Sequence, residues 1–199
     1  MDPQGDIHLV HIKWNLDNGV RGEVMYREQT ANGWSADVSI GNIAEVWYHH
    51  PDISIDSGGN VHVVWVSSGG PKHALQYRRR NASGVWQTQQ TLGYCSGTDT
   101  SFFFPKIAWA RGSNVVAAVQ ENSVIRWALS TNGGVSWSSL AWLTGGLHPN
   151  LETDPTEGVH LVYETESTFG IAYRKWASGI WTDHLQITPN TYWQQIGRA

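Results

Sequence analysis

Three arginines stand at equivalent places in the chain, each directly after an aromatic residue: Arg27, Arg78 and Arg174. A guanidinium group forms bidentate hydrogen bonds with a carboxylate, so three convergent arginines would suit an acidic substrate. Each of the three precedes a glycine-containing turn, which predicts that it lies on the third strand of a repeated β unit. If such units are arranged around a common axis, their third strands lie away from that axis. We therefore expect the three arginines to lie on solvated strand faces and not to converge on one site.

The segment VYETE, residues 162–166, places Tyr163 beside Glu164 and Glu166, a combination that could supply a nucleophile and its base. Successive residues of a strand point to opposite faces, so Tyr163 and Glu164 cannot act together. No inward pair of carboxylates can be assigned for glycoside hydrolysis. We therefore assign no catalytic residue.

Three histidines, His8, His62 and His160, share one repeat position, which Val116 occupies in the fourth copy. A metal ion would need its ligands within about 2 Å, whereas equivalent positions on separate units lie much farther apart. We expect hydrogen bonds between strands at these histidines, with no metal site and no cofactor.

Aromatic, histidine and glutamine side chains cluster just before each predicted first strand, in the segments WYHHP, FFFP, LHP and YWQQI. Flat apolar rings stack on sugars, and these polar side chains hydrogen-bond hydroxyl groups. Packing between units is the alternative. The candidate ligand-binding residues are His49, His50, Phe104, His148, Trp193 and Gln194.

One unit of sequence recurs along the whole chain. PDISIDSGGNVHVVW (residues 51–65) is echoed at residues 105–119 and 149–163, each reading as strand, turn, strand. A third strand with an aromatic residue follows, then a turn, a tryptophan and a fourth strand. Four strands in about 50 residues is the size of a propeller blade.

The repeats predict a single all-β propeller domain over residues 1–199, with four-stranded antiparallel blades at approximately 1–42, 43–98, 99–145 and 146–190. The N-terminal blade lacks its first strand, which residues 191–199 match. The four blades close within the chain, pair as an eight-bladed homodimer, or come from a longer array. Bulky Phe and Trp near the axis favour the homodimer.

The stretch STNGGVSW, residues 130–137, resembles the Asp-box of the sialidase-like (BNR-repeat) β-propellers, with Asn132 in place of the Asp. RNASGVW, WASGIW and TANGW keep little more than the Gly and the Trp. In that family the boxes lie on the outer rim, away from the ligand face, which implies a structural role for these residues. They are Ser130, Asn132, Gly134, Ser136, Trp137, Trp34, Trp86 and Trp181.

The resemblance also implies what an enzyme of this type would need. Sialidases of the family bind the substrate carboxylate with three Arg, attack with a Tyr activated by Glu, and use an Asp as acid and base. The family's Arg-Ile-Pro segment is absent here, and four blades are fewer than the six of its enzymes. The prediction is a non-catalytic binding or scaffold module, for glycans or a protein partner at the channel mouth. A fragment of a sialidase-like glycoside hydrolase and an excised or engineered repeat module without a ligand are the alternatives.

Composition limits the partners. The chain has 199 residues, 12 Trp, a formal net charge of -4 and no run of Lys and Arg, which argues against nucleic acid or an anionic membrane. Its one cysteine, Cys95, excludes an internal disulfide. No signal peptide or long apolar run is evident, so the compartment is unknown, although the family resemblance favours secretion or the cell surface.

Overall fold

The computed structural model describes residues 1–15, 21–43, 50–68, 72–97, 100–156, 158–166 and 170–188. Every regular element in those ranges is a β-strand, and none is a helix. The strands form four antiparallel sheets that follow one another along the chain. The all-β prediction is therefore confirmed for this part of the protein. These ranges also contain no helix able to span a membrane.

The first sheet contains β1 (Ile7–Asn15), β2 (Arg21–Thr30), β3 (Gly33–Trp34) and β4 (Val38–Ile43). Strand β2 pairs with β1 on one side and with both β3 and β4 on the other. In the repeat, β1 corresponds to a second strand, so within the described ranges this sheet has no first strand. The predicted first strand, residues 191–199, lies outside the described residues.

The other three sheets contain the complete predicted unit, with strands paired in chain order. In the fourth sheet the last strand is divided in two, and both parts pair with the third. The strands are β5 (Asp52–Ile55), β6 (Val61–Ser68), β7 (His73–Arg80) and β8 (Gln90–Tyr94); β9 (Phe102–Trp109), β10 (Val115–Glu121), β11 (Val124–Ser130) and β12 (Ala141–Gly145); and β13 (Leu147–Thr153), β14 (Val159–Glu164), β15 (Ile171–Ala177), β16 (Ile180–Trp181) and β17 (Leu185–Gln186).

The core lies between consecutive sheets, where apolar side chains form three buried clusters. Strands β6 and β10 are buried on both faces, which explains their nearly continuous apolar sequences. Each inner sheet is therefore covered on both sides, and burial of this apolar surface stabilises the stack.

The first strands lie side by side. The backbone N–H of Ile107 donates to Asp52 Oδ2 at 2.9 Å, and that of Trp109 donates to Ser54 Oγ at 2.9 Å, which joins β9 to β5. The hydroxyl of Thr153 donates to the carbonyl of Trp109, which joins β13 to β9. Each sheet extends outward from this row of first strands. The number of blades in a closed ring and the homodimer stay predictions.

The antiparallel pairing gives the sheets two distinct edges. At the entry edge, first strands begin and second strands end, as the pairs Phe102 with Glu121 and Leu147 with Glu164 show. At the opposite edge, the hairpin edge, lie the turns after the first strand and after the third strand. The side chains at the entry edge and at the hairpin edge are of different types.

Candidate functional site

The three equivalent arginines do not form a carboxylate site. Each guanidinium donates to a backbone carbonyl just after the tryptophan of its own sheet, at 3.0 Å for Arg27 to Ser35, 2.8 Å for Arg78 to Gln87 and 2.9 Å for Arg174 to Thr182. They lie in three different sheets, and Ala128 takes the fourth position. Their contacts fasten the outer strand of each sheet to the third strand.

The guanidinium of another arginine, Arg126, also has its partners within the protein. Its Nη1 lies 2.9 Å from Glu121 Oε2, and its Nη2 donates to the carbonyl of Leu140 at 2.8 Å. Burial tends to raise the pKa of Glu121, but the backbone N–H of Ser96 and the Arg126 guanidinium outweigh burial and lower that pKa. The ion pair lies within the third sheet, and Glu121 also accepts from the backbone N–H of Ser96, which follows the last strand of the second sheet.

An Asp–His–Tyr triad recurs at the hairpin edge of three sheets. In each, His Nδ1 contacts the tyrosine hydroxyl and His Nε2 faces the carboxylate of the turn before the second strand. The distances are 2.6 and 3.3 Å for Asp2–His8–Tyr26, 2.8 and 3.3 Å for Asp56–His62–Tyr77, and 2.7 and 2.7 Å for Asp154–His160–Tyr173. Because a carboxylate only accepts hydrogen bonds, His Nε2 is the donor to it in the second and third triads. In the first triad the Tyr26 hydroxyl donates to Glu28 Oε2 at 3.0 Å.

The third sheet replaces all three members of the triad together, with Ala110, Val116 and Trp127. Replacement as a unit fits a hydrogen-bonded structural set, since a buried partner left alone would be costly. Among the described residues no cluster of His, Cys, Asp and Glu is placed to hold a metal ion. The triads therefore join strands within each sheet.

The second of these triads shows the electrostatics most clearly. Burial tends to raise the pKa of Asp56, but hydrogen bonds from His62 and Asn60 outweigh it and lower that pKa to about 2. Burial raises the pKa of the Tyr77 hydroxyl. Asp56 is thus a charged acceptor and Tyr77 a neutral donor at ordinary pH.

The 130–137 hairpin is tied by its own side chains. Ser130 Oγ accepts from the N–H of Gly134 at 2.8 Å, and Asn132 Oδ1 accepts from the N–H of Ser136 at 2.9 Å. Gly134 has a φ of +81°, and a Cβ there would lie 1.8 Å from Tyr77 Oη. Only glycine fits this position, because both the backbone conformation and the neighbour exclude a side chain.

The same hairpin also fastens the third sheet to the second. Trp137 packs edge-on against Tyr77, with ring centroids 4.8 Å apart. Arg79 Nη1 donates to the carbonyl of Gly133 at 2.7 Å, and Gln90 Nε2 donates to that of Gly134 at 2.9 Å. These contacts join the two sheets at the hairpin edge. The structural role of the box residues stays a prediction.

The entry edge carries a repeated irregularity at two predicted ligand-binding residues. Strands β9 and β13 each contain a bulge just before their proline. Phe104 has a φ of +47° and His148 a φ of +48°, conformations that residues other than glycine rarely adopt. The two rings pack edge-on with centroids 4.7 Å apart. The structure therefore brings Phe104 and His148 together from neighbouring sheets.

Polar groups surround this pair. His148 Nδ1 lies 3.1 Å from Glu164 Oε2, and the backbone N–H of His148 donates to Gln120 Oε1 at 2.7 Å. A second carboxylate, Glu166, accepts from Ser123 Oγ at 2.5 Å. The imidazole is half-exposed, and the Glu164 carboxylate beside it is partly exposed. Phe104 is also only partly buried, so the three side chains lie at the surface of this edge.

The neighbouring tyrosine belongs to the opposite face, as strand alternation predicts. Tyr163 is buried, and its hydroxyl lies 2.7 Å from His184 Nδ1. Tyr163 and Glu164 therefore have separate environments.

The remaining predicted ligand-binding residues are not part of this described cluster. His50 is exposed just before β5, while His49, Trp193 and Gln194 lie outside the described residues. Sequence reasoning did not assign Gln120 or Glu164 to the site. The register of β13 with β14 was the missing signal, because it places Leu147 opposite Glu164.

No protein-family model matches the chain, and no curated protein resembles it in sequence. Solved structures do resemble it. A protein of unknown function from Dyadobacter fermentans has a TM-score of 0.65 and 15% identity over 87% of this chain and 57% of that chain. A Hadza microbial sialidase has a TM-score of 0.62 and 14% identity over 92% and 45%. A PL25 ulvan lyase has a TM-score of 0.60 and 10% identity over 96% and 57%.

This chain thus spans about half the length of the structures that it matches. At 15% identity or less the likeness concerns the fold alone. The chain has the β fold that these sialidase and polysaccharide lyase structures share.

Proposed function

We propose that the chain is a β-propeller module that binds neutral glycans at its entry edge without hydrolysing them. First strands that lie side by side, with sheets extending outward from them, support the propeller. Likeness to sialidase and lyase structures supports a glycan-related role. The observation that carries the proposal is the pair Phe104 and His148, held in left-handed backbone at equivalent bulges with their rings in contact.

That backbone conformation is costly. A residue in the left-handed region costs on the order of 1 kcal/mol or more, and such strain clusters at functional sites. Bulges re-aim side chains, and they are enriched next to binding sites. The same device in two neighbouring sheets aims an aromatic ring and an imidazole at one exposed place.

The exposed groups suit a sugar without a carboxylate. The Phe104 ring offers an apolar face, and His148 with Glu164 offers a donor and acceptors for adjacent hydroxyl groups. Glu166, two residues after Glu164 in the chain and exposed, adds a second negative charge at this edge. An acidic sugar would be repelled there, and the guanidinium groups of four arginines already donate to carbonyl or carboxylate groups of the protein: Arg27, Arg78, Arg126 and Arg174.

The environments of Tyr163 and Glu164 favour binding over hydrolysis. Tyr163 contacts His184 on the other face of its sheet, and Glu164 pairs with His148. A retaining hydrolase needs two carboxyl groups on either side of the scissile bond. Glu164 and Glu166 instead lie on one strand end, each with its own partner.

A glycan array followed by titration calorimetry tests this proposal. The purified chain should bind neutral oligosaccharides in preference to sialylated or uronate-containing ones. Phe104→Ala and His148→Ala should each weaken the best neutral ligand by roughly tenfold or more, since each removes a central contact. Trp142→Ala, an exposed tryptophan on β12, is the matched control and should leave the affinity unchanged.

Three outcomes would overturn the proposal. Silence across the array would favour a scaffold without a ligand. A preference for acidic glycans would refute the charge argument at Glu164 and Glu166. Release of a chromogenic sugar by the wild-type chain would refute the absence of hydrolysis.

A further inference from the structure

The interface between neighbouring sheets repeats one aromatic contact. The aromatic residue of a third strand packs edge-on against the tryptophan that follows the turn of the next sheet. The ring centroids are 5.0 Å apart for Tyr26 and Trp86, 4.8 Å for Tyr77 and Trp137, and 5.6 Å for Trp127 and Trp181. Each sheet therefore has two faces, named here without reference to hydrogen bonding. The donor face carries the third-strand aromatic residue, and the acceptor face carries the tryptophan.

At each end of the stack, one ring of this repeated contact lacks its aromatic counterpart in the described structure. Trp34 of the first sheet is 45% exposed, and its described ring contact is with the guanidinium of Arg27 at 5.2 Å. Tyr173 of the fourth sheet has a described ring contact with His160. Neither residue has the aromatic partner that its equivalents have in the described structure.

The acceptor face of the first sheet is apolar and uncovered. Ile7 and Leu9 are 44% and 42% exposed. Their equivalents in the other three sheets are fully buried against the preceding sheet: Val61, Val63, Val115, Ala117, Val159 and Leu161. Burial at these positions in every other sheet indicates that this face also receives a sheet.

The donor face of the fourth sheet is uncovered in the same way. The side chain of His160 is 29% exposed, whereas that of its equivalent His62 is 0% exposed beneath the third sheet. Leu185 pairs with Tyr173 across the strands and is exposed. Lys175 occupies the position of Arg79, the residue that donates to the hairpin of the following sheet.

We propose that a second copy of this chain covers both faces, so that the fourth sheet of each protomer packs on the first sheet of the other. The contact continues the interface already present three times, with Tyr173 against the partner's Trp34 and Lys175 reaching the carbonyls of its 31–33 turn. Two such contacts related by a twofold axis close a ring and leave no free face.

A second copy fits better than closure of the chain on itself. Across the described ranges, no hydrogen bond, ion pair or ring contact joins the first sheet to the fourth. Bulky side chains at the row of first strands, Phe102 and Trp109 among them, also resist the tightest ring.

Native mass spectrometry of the purified chain tests the partner. The expected mass is twice 22.2 kDa, about 44 kDa. Trp34→Ala and Tyr173→Ala should each raise the dimer dissociation constant by roughly tenfold or more, because each removes an aromatic anchor. Trp142→Ala and Tyr94→Ala, which remove exposed aromatics outside both end faces, are the matched controls. A wild-type chain that stays at 22.2 kDa at all concentrations would overturn the proposal.

Cross-linking identifies the faces. In a Cys95→Ala background, the double variant Asn32→Cys and Lys175→Cys is treated with a short bismaleimide. A covalent dimer on a denaturing gel supports the second copy. A cross-linked monomer would show that the chain closes on itself, and the absence of any cross-link would show that these faces do not meet; both overturn the proposal. Glycan binding is measured separately, so its failure would not be confused with failure of the dimer.

Discussion

Removing the charge of Asp56 should cost the protein a calculable part of its stability. The carboxylate accepts from the N–H groups of Gly58 at 2.9 Å and Asn60 at 2.8 Å, and its Oδ2 faces His62 at 3.3 Å. These contacts lower its pKa from 3.8 to about 2. The difference corresponds to about 2 kcal/mol of stability at neutral pH. Asp56→Asn should therefore lower the free energy of unfolding by about that amount.

The effect should depend on pH with a definite sign. Because the pKa of Asp56 is lower in the folded state, its stabilisation is fully present above about pH 4 and is lost as the pH falls toward 2. Urea unfolding followed by tryptophan fluorescence at pH 7, 4, 3 and 2 measures it. The wild type and the Asn variant should differ most at pH 7 and converge near pH 2.

Asp183→Asn is the matched control, since Asp183 is exposed in the fourth sheet, and it should leave the unfolding midpoint unchanged at every pH. A difference between wild type and Asp56→Asn that stays constant from pH 7 to pH 2 would refute the electrostatic account. The lost stability would then come from packing and not from the charge.

Two further substitutions test the structural contacts. Gly134→Ala places a Cβ 1.8 Å from Tyr77 Oη at a φ of +81°. It should therefore lower the free energy of unfolding by about 2–4 kcal/mol, as measured by urea melts. An unchanged midpoint would contradict the packing of the hairpin on the second sheet. Arg78→Met removes donors to the carbonyls of Gln87 at 2.8 Å and Ile40 at 3.0 Å. It should cost about 2 kcal/mol of stability while leaving glycan affinity unchanged, and loss of binding without loss of stability would show instead that the guanidinium contacts the ligand.

Much of the strand pattern was predictable because it depends on local periodicity. The alternation in VHVVW and the glycine turns flanking it define β5 and β6, and the repeat transfers that assignment to β9, β10, β13 and β14. The missing first strand of the first sheet was also predictable by alignment. Whether residues 191–199 supply that strand stays a prediction.

The candidate site was predictable only in part. The segments before the first strands pointed to Phe104 and His148, but not to their partners Gln120 and Glu164. A bulge shifts the register by a residue, and a left-handed φ changes where a side chain points, so neither can be read from residue types. The contact of the two rings also joins separate sheets, which no local pattern encodes.

The sequence alone determined that the chain is a strand-turn-strand unit written four times, because side-chain alternation and turn residues act over a few positions. It also determined that His8, His62 and His160 are equivalent. Only the tertiary structure decided which of these positions are covered. His62 is buried beneath the following sheet, whereas the equivalent residue of the fourth sheet, His160, is partly exposed. Burial depends on which sheet packs on which, and that is a property of the whole stack and not of any one repeat.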